Sequence, residues 1–265
     1  MPPPATMTLP GIAGQRIVVT AGAAGIGLSI ARQLKAQGAR LAICDVDAAA
    51  LDRAKSELGA ELAIPADVSD ESQMEDYFRR VADTFGGLDA LVNNAGIAGP
   101  TGGVEEITPA DWRRCLDVCL TGQFLCAHFA VPLLRQAGGG AIVNMSSSAG
   151  RFGYAFRTPY ASAKWGVIGL TQSLAKELGP HDIRVNAILP GIIEGPRMEK
   201  VIADRATQKG VSHDDMKAEY ISRISLRRMT PPEDVADIVA FLVSDAGRNL
   251  SGQSFPVDGN LETLG

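Results

Sequence analysis

Short apolar runs alternate with amphipathic stretches along the chain. RIVVT at 16–20 is apolar nearly throughout, as a strand buried on both faces is, and a glycine-rich turn follows it. A helical pattern then runs over 28–37 and stops at Gly38, which reads as its C-cap. The alternation continues, with strands predicted at 39–45, 61–66, 88–94, 140–147, 183–189 and 254–258, and helices at 48–58, 70–85, 109–135, 159–179 and 232–244. Apolar strands alternating with helices predict a parallel sheet covered on both faces. Right-handed crossovers make it a single-domain, doubly wound α/β fold of about seven strands. With no repeat and no linker, 11–265 is expected to form one domain and 1–10 a frayed arm. The polar, charged stretch 192–230 is the one interruption, and it reads as a lid or substrate loop.

With 265 residues and 46% apolar content, the chain can bury a large core without a disulfide or metal staple. A net charge of −5 argues against nucleic acid or an anionic membrane surface as a partner. No apolar stretch approaches the ~20 residues that span a bilayer. The start, MPPPATMTLP, has neither a basic end nor an apolar segment, so a secretory signal is not expected and the cytoplasm is. Cys44, Cys115, Cys119 and Cys126 lack CxxC spacing. Cys115 and Cys119, one helical turn apart, can share a ligand, but Cys126 lies about 10 Å further along and no histidine is near in sequence. They read as small buried apolar residues in a reducing compartment. His128 reads as helix packing, His181 as a loop residue, and His213 as part of a helix start capped by Ser212. No metal site is expected.

The turn after the first strand holds Gly22, Gly25 and Gly27 and opens a helix. Glycines there let backbone amides approach a pyrophosphate; a tight strand–helix turn also wants them, and the position after the first strand is what favours the phosphate. Asp45 ends the second strand, where a carboxylate accepts from both adenosine ribose hydroxyls and repels a 2′-phosphate. No Arg or Lys stands in the turn or directly after Asp45, so NAD is expected over NADP.

Tyr160 and Lys164 stand at i and i+4 of a predicted helix, which stacks them on one face. An ammonium held beside a phenol favours the phenolate, so the pair can move a proton to or from an alcohol oxygen near neutral pH. YxxxK by itself is commonly a solvated helix face. Here Ser147 ends the preceding strand, at the edge where such sheets bind ligands, with Ser146 and Ser148 pointing the other way.

These motifs resemble the short-chain dehydrogenase/reductase family over essentially residues 11–260: TAGAAGIG (20–27), Asp45, DV (67–68), NNAG (93–96), Ser147, YASAK (160–164), PG (190–191) and VDG (257–259). The resemblance implies a Rossmann-like domain and an NAD-dependent interconversion of a secondary alcohol and a ketone. It implies Ser147 on the substrate oxygen, Tyr160 as general acid/base and Lys164 on the nicotinamide ribose. It implies cofactor contacts at Gly22, Ala24, Gly25, Ile26, Gly27, Asp45 and Val46, adenine contacts at Asp67 and Val68, a wall from Asn93 through Ala95 to Gly96, and nicotinamide contacts at Pro190, Gly191 and Ile193. Members usually form homotetramers or homodimers through the helices here at 109–135 and 159–179. Three positions depart from the family pattern: Ala21 stands for a Gly, Cys119 for an Asn that stabilises a helix bend and a water path to the Lys, and Gly195 for a Thr on the cofactor. A thiol does not copy an amide's hydrogen bonds, so a weakened or rebuilt proton relay is expected.

Arg157, in the turn before Tyr160, and Arg197, in the substrate loop, suggest an anionic substrate, with Arg151 nearby. Surface charge, or pairing with Glu194, Glu199 or a neighbouring subunit, is the alternative. Trp112 and Trp165 read as packing; Phe152, Tyr154 and Phe156 read either as an apolar pocket wall or as packing under the lid or at a subunit contact. Two rival functions remain: a ketone or 3-oxoacyl reductase, and a non-catalytic NAD-sensing protein on the same fold.

Overall fold

The computed structural model describes residues 8–264; within one helix the side chains at 197 and 208 lie outside the description. Seven strands form one parallel sheet: β1 (Arg16–Thr20), β2 (Arg40–Asp45), β3 (Leu62–Pro65), β4 (Ala90–Asn93), β5 (Gly140–Met145), β6 (Ile183–Pro190) and β7 (Ser254–Val257). Their spatial order is β3-β2-β1-β4-β5-β6-β7, every neighbour parallel. The order reverses between β1 and β4, which opens a crevice at their carboxyl ends.

The period of two along each strand sorts side chains between two cores. On one face Ile17, Val19 and Ile43 pack with residues of α1 (Gly25–Ala36), α2 (Ala48–Leu58) and α9 (Pro232–Val243). On the other, Val18, Ala42 and Leu91 pack with α3 (Glu71–Phe85), including Tyr77 and Phe78, and with α5 (Gly122–Ala137). Gly38 lies at φ +87°, the left-handed conformation that ends α1.

The predicted helix at 109–135 is three pieces: α4 (Pro109–Leu116), one wide turn of π type at Asp117–Thr121, and α5. The whole run, Pro109–Ala137, is long and apolar enough by composition to cross a membrane, contrary to the reading of uninterrupted apolar stretches. Here its apolar side packs on the sheet and α3. α6 (Thr158–Leu178) follows β5.

The interruption at 192–230 holds α7 (Pro196–Lys209) and α8 (His213–Ser222), built around a small core of their own from Ile202, Met216, Tyr220 and Ile224. Ser212 caps α8, its Oγ accepting from Asp215 N at 3.1 Å. The expected frayed arm is only partly so: residues 1–7 lie outside the described residues, but Leu9 is buried and its N–H donates to Gln37 Oε1 at 2.9 Å.

Candidate active site

The turn after β1 is stapled to the end of β4. Buried Thr20 accepts at Oγ1 from the N–H groups of Asn94 and Ala95, both at 3.0 Å. Asn94 Nδ2 in return donates to Thr20 O at 3.0 Å and Ala21 O at 3.1 Å. Ala21 sits at φ +49° and Gly25 at +52°. The turn therefore keeps its left-handed bend although an alanine stands where glycine is free of strain, at a cost of about 1 kcal/mol. A Cβ on Gly27 would lie 2.0 Å from Ala21 O and 2.5 Å from Asn94 Nδ2, so only glycine fits.

Helix α1 starts at Ala24 with no side-chain cap and no acidic residue in its first turn. α2, α3, α4 and α8 are each capped by Asp, Ser or Thr, whereas α6, α7 and α9, like α1, have no side-chain cap. The uncapped amides and the glycine cradle fit a dinucleotide pyrophosphate. Asp45 stands beside them, accepting from Ala23 N (3.2 Å) and Asp47 N (3.1 Å). Val46 is 69% exposed, and Ile26 is half-buried.

Asp67 and Val68 follow β3, and the Asp67 main chain is held there: its N–H donates to Gln73 Oε1 and its carbonyl accepts from Asp70 N, both at 3.0 Å. Burial by itself would raise the Asp67 carboxyl, but hydrogen bonds from Ser69 and Arg114 outweigh it and hold it below the ordinary range. The Val68 side chain is buried against Gly122. Asn93 turns inward to donate to Asn144 Oδ1 at 2.9 Å; Ala95 is buried in the core and Gly96 is half-buried. Pro190 and Gly191 end β6 against β7: a Cβ on Gly191 would lie 2.5 Å from Asp258 Cβ. Ile193 bridges to Thr230 at the root of the α7–α8 segment. Gly195 has φ +142°, a conformation that excludes a threonine without strain, so this departure from the family pattern is built into the loop.

β5 ends at Met145, two residues short of the predicted end, and Ser147 stands just past it. Ser146 Oγ donates to Lys164 O at 2.8 Å, and Ser148 Oγ donates to Pro190 O at 3.3 Å; both are buried. Half-buried Ser147 accepts at Oγ from Ala149 N at 3.1 Å. Lys164 is 3% exposed, its Nζ 5.7 Å from the Tyr160 ring centroid and donating to Met145 O at 2.8 Å. Cys119, inside the wide turn, accepts from Ile97 N and donates to Ile97 O, each at 3.4 Å. The hydrogen bond of the Cys115 S–H to Cys119, together with burial, pushes the Cys115 thiol well up. All four cysteines are free and buried, as the packing reading expects.

The three arginines divide. Arg151 is a structural ion pair, Nη2 3.2 Å from Asp258 Oδ2, with its guanidinium over Phe152. Arg197 lies in the first turn of α7, its side chain outside the described ones; Glu199 pairs with Lys217 and His213. Arg157 is 8% exposed and has no carboxylate partner among the described residues. Its Cζ lies 5.1 Å from the Tyr160 ring centroid and 5.3 Å from that of Tyr154, and Nη2 donates to Ala98 O at 2.5 Å. Burial, with Tyr154 alongside, pushes the Tyr220 phenol up, so α8 meets the catalytic side of the crevice through two tyrosines.

Trp112 and Trp165 are 36% and 51% exposed, Trp165 donating from Nε1 to Phe152 O at 3.4 Å, and Phe156 is 57% exposed. His128 is exposed, its ring between Phe124 and Phe129. Sequence reasoning missed Asn94, Asn144 and Gln123 as organisers of the site; a polar residue at a buried helix or strand position was the available signal.

A β-α doubly wound sheet with a pyrophosphate cradle at its switch point and Ser, Tyr and Lys at the adjacent edge defines a nucleotide-dependent oxidoreductase. The family described as enoyl-(acyl carrier protein) reductase matches residues 21–261. Cis-4-hydroxycyclohexanecarboxylate dehydrogenase of Sinomonas cyclohexanicum is 40% identical over 91% of this chain and 94% of its own. Cyclohexanol dehydrogenase of Acinetobacter sp. (strain SE19) is 35% identical over 91% and 92%. The crystal structure of levodione reductase superposes with a TM-score of 0.87 at 34% identity, covering 93% of this chain and 97% of that one. The chain belongs to the short-chain dehydrogenase/reductase family. It is an oxidoreductase that interconverts a secondary alcohol and a ketone with a nicotinamide cofactor.

Proposed function

We propose that this enzyme is an NAD-dependent dehydrogenase of a cyclic secondary alcohol that carries a carboxylate. The observation that carries the reading is Arg157, buried against the Tyr160 ring with no carboxylate of the described chain beside it. A buried cation is costly without a counter-charge, and a substrate anion supplies one. The relatives that act on hydroxycyclohexanecarboxylates and cyclohexanol agree with a ring and an acid group.

A nicotinamide cofactor held by the glycine turn, Asp45 and the end of β6 would supply the hydride acceptor for alcohol oxidation and the donor for ketone reduction. Tyr160 Oη, as phenolate, accepts the hydroxyl proton. The Lys164 ammonium beside it favours that charge. Ser147 Oγ donates to the substrate oxygen and aims it at Tyr160. Arg157 grips the carboxylate at the far end of the substrate. The α7–α8 segment, joined through Tyr220 and Tyr154, closes over the ring and excludes water.

The test is NAD⁺ reduction with cyclohexanol, cis-4-hydroxycyclohexanecarboxylate and a matched linear hydroxy acid. The ring acid is expected to give the highest kcat/KM, by tenfold or more over cyclohexanol. Preference for the neutral ring removes the anion from the reading, and reaction only with NADPH and 3-oxoacyl thioesters replaces it with the reductase.

Asp45 supports NAD over NADP, because its charge stands where a 2′-phosphate would. Asp45→Asn keeps an acceptor for Ala23 N and deletes the charge. The NAD⁺/NADP⁺ ratio of kcat/KM should fall about thirtyfold, roughly 2 kcal/mol of charge repulsion at the crevice edge. An unchanged ratio would place the discrimination elsewhere.

For assembly, the exposed rings of Trp112, Phe124 and Trp165 on α4, α5 and α6 favour a homotetramer or homodimer through those helices.

A further inference from the structure

We infer that Gln123 is a positioning residue for the proton-handling pair, holding the main-chain carbonyl on which Lys164 is anchored. The inference rests on the assignment of Tyr160 and Lys164 above. Gln123 opens the first turn of α5 and is 2% exposed. Its Nε2 donates to two carbonyls, Cys119 O at 3.1 Å and Met145 O at 3.0 Å. Met145 O is also the acceptor of Lys164 Nζ, at 2.8 Å. A carbonyl oxygen has two lone pairs, and these two donors occupy both. The amide orientation follows from the partners: flipped, Oε1 would face two carbonyl oxygens.

The array joins three elements at the point where they meet. Cys119 O belongs to the wide turn, Met145 O to the end of β5, and Lys164 to α6. The main chain of Gln123 is held as well, since its carbonyl accepts from Asn93 Nδ2 at 3.2 Å. Asn93 also reaches Asn144, which pairs with it across β4 and β5, and Asn144 Nδ2 donates to Thr171 Oγ1 of α6 at 3.0 Å. The Cys119 thiol exchanges hydrogen bonds with the Ile97 main chain. The amide that the family pattern places at 119 is thus supplied one helical turn later, from 123. Removing it leaves two buried carbonyls short of a donor and frees the acceptor that aims the ammonium at Tyr160.

The test is Gln123→Met, similar in length and without a donor, in the full chain with NAD⁺ bound. The tyrosinate absorbance of wild type minus Tyr160→Phe isolates the ionisation of that phenol and needs no substrate. Its midpoint should rise by about one pH unit in the Gln123→Met background, while the NAD⁺ dissociation constant stays within twofold. With cis-4-hydroxycyclohexanecarboxylate as probe, kcat should fall about tenfold near neutral pH and recover as pH rises. An unmoved midpoint, or a kcat loss equal at every pH, overturns the inference, because a merely structural role would not move the titration. Gln123→Asn, milder and too short to span both carbonyls, should shift the midpoint in the same direction by less; an unmoved midpoint there overturns it equally. Turnover that survives Tyr160→Phe removes the catalytic reading instead, so the two failures are distinguishable.

Discussion

Tyr160→Phe is expected to lower kcat for alcohol oxidation by about a thousandfold, roughly 4 kcal/mol in the barrier, with NAD⁺ binding within twofold of wild type. The substitution removes one oxygen and leaves the ring. The ring packs near Arg157 and Lys164, so its contacts with both cations survive. What is lost is the phenol next to the buried Lys164 ammonium, and with it the proposed acceptor for the hydroxyl proton. Turnover followed by nicotinamide absorbance, with NAD⁺ binding measured by protein fluorescence, checks both halves. Activity within tenfold of wild type would remove Tyr160 from the proton step. A protein that binds NAD⁺ equally well in both forms and turns over in neither would be the NAD-sensing alternative.

Arg157→Leu should cut the preference for a carboxylate-bearing ring over the neutral ring about a hundredfold, close to 3 kcal/mol for a desolvated charge-assisted contact. The preference, rather than either rate, is the proper readout. Arg157 also donates to Ala98 O and stacks on Tyr154 and Tyr160, so its loss disturbs packing for every substrate. That disturbance cancels in the ratio of kcat/KM for cis-4-hydroxycyclohexanecarboxylate to that for cyclohexanol. Arg157→Lys should keep part of the ratio, because a point charge remains but the planar fork is gone. A ratio unchanged by Arg157→Leu would return this residue to a packing role and leave Arg197, in the first turn of α7, as the remaining anion ligand.

The three arginines show how far the sequence reaches into the site. Arg151 and Arg157 both lie on the segment between β5 and α6, and nothing in the local sequence says which of them finds a carboxylate. Asp258, far away in the chain on the turn after β7, claims Arg151. Arg157 instead meets two tyrosines and a carbonyl. The divergence was therefore decided by long-range contacts. The same holds for Gln123: a glutamine near a helix start reads as a solvated side chain until β5 and the wide turn bring two carbonyls to it. Cys119 was legible as a departure from the family pattern, but its remedy was not, because the compensating amide lies on the next turn of the helix. The partial exposure of Trp112, Trp165 and His128 was not legible, since the apolar stripe of a helix does not say whether its partner is the chain's own sheet or another surface.

The sequence by itself determined the alternation of strands and helices, the glycine turn, Asp45 at the end of β2, and the Ser147, Tyr160 and Lys164 set. These follow from short-range rules: the two-residue period of a strand, the turn geometry only glycine accepts, and the one-turn spacing that stacks a phenol over an ammonium. Tertiary structure alone decided which carbonyl anchors Lys164, which arginine is left without a carboxylate, and that 192–230 folds as two helices over a small core of its own. Those are pairings between elements remote in the chain, and a hydrogen-bond or charge partner is chosen by distance in space, which no local pattern encodes.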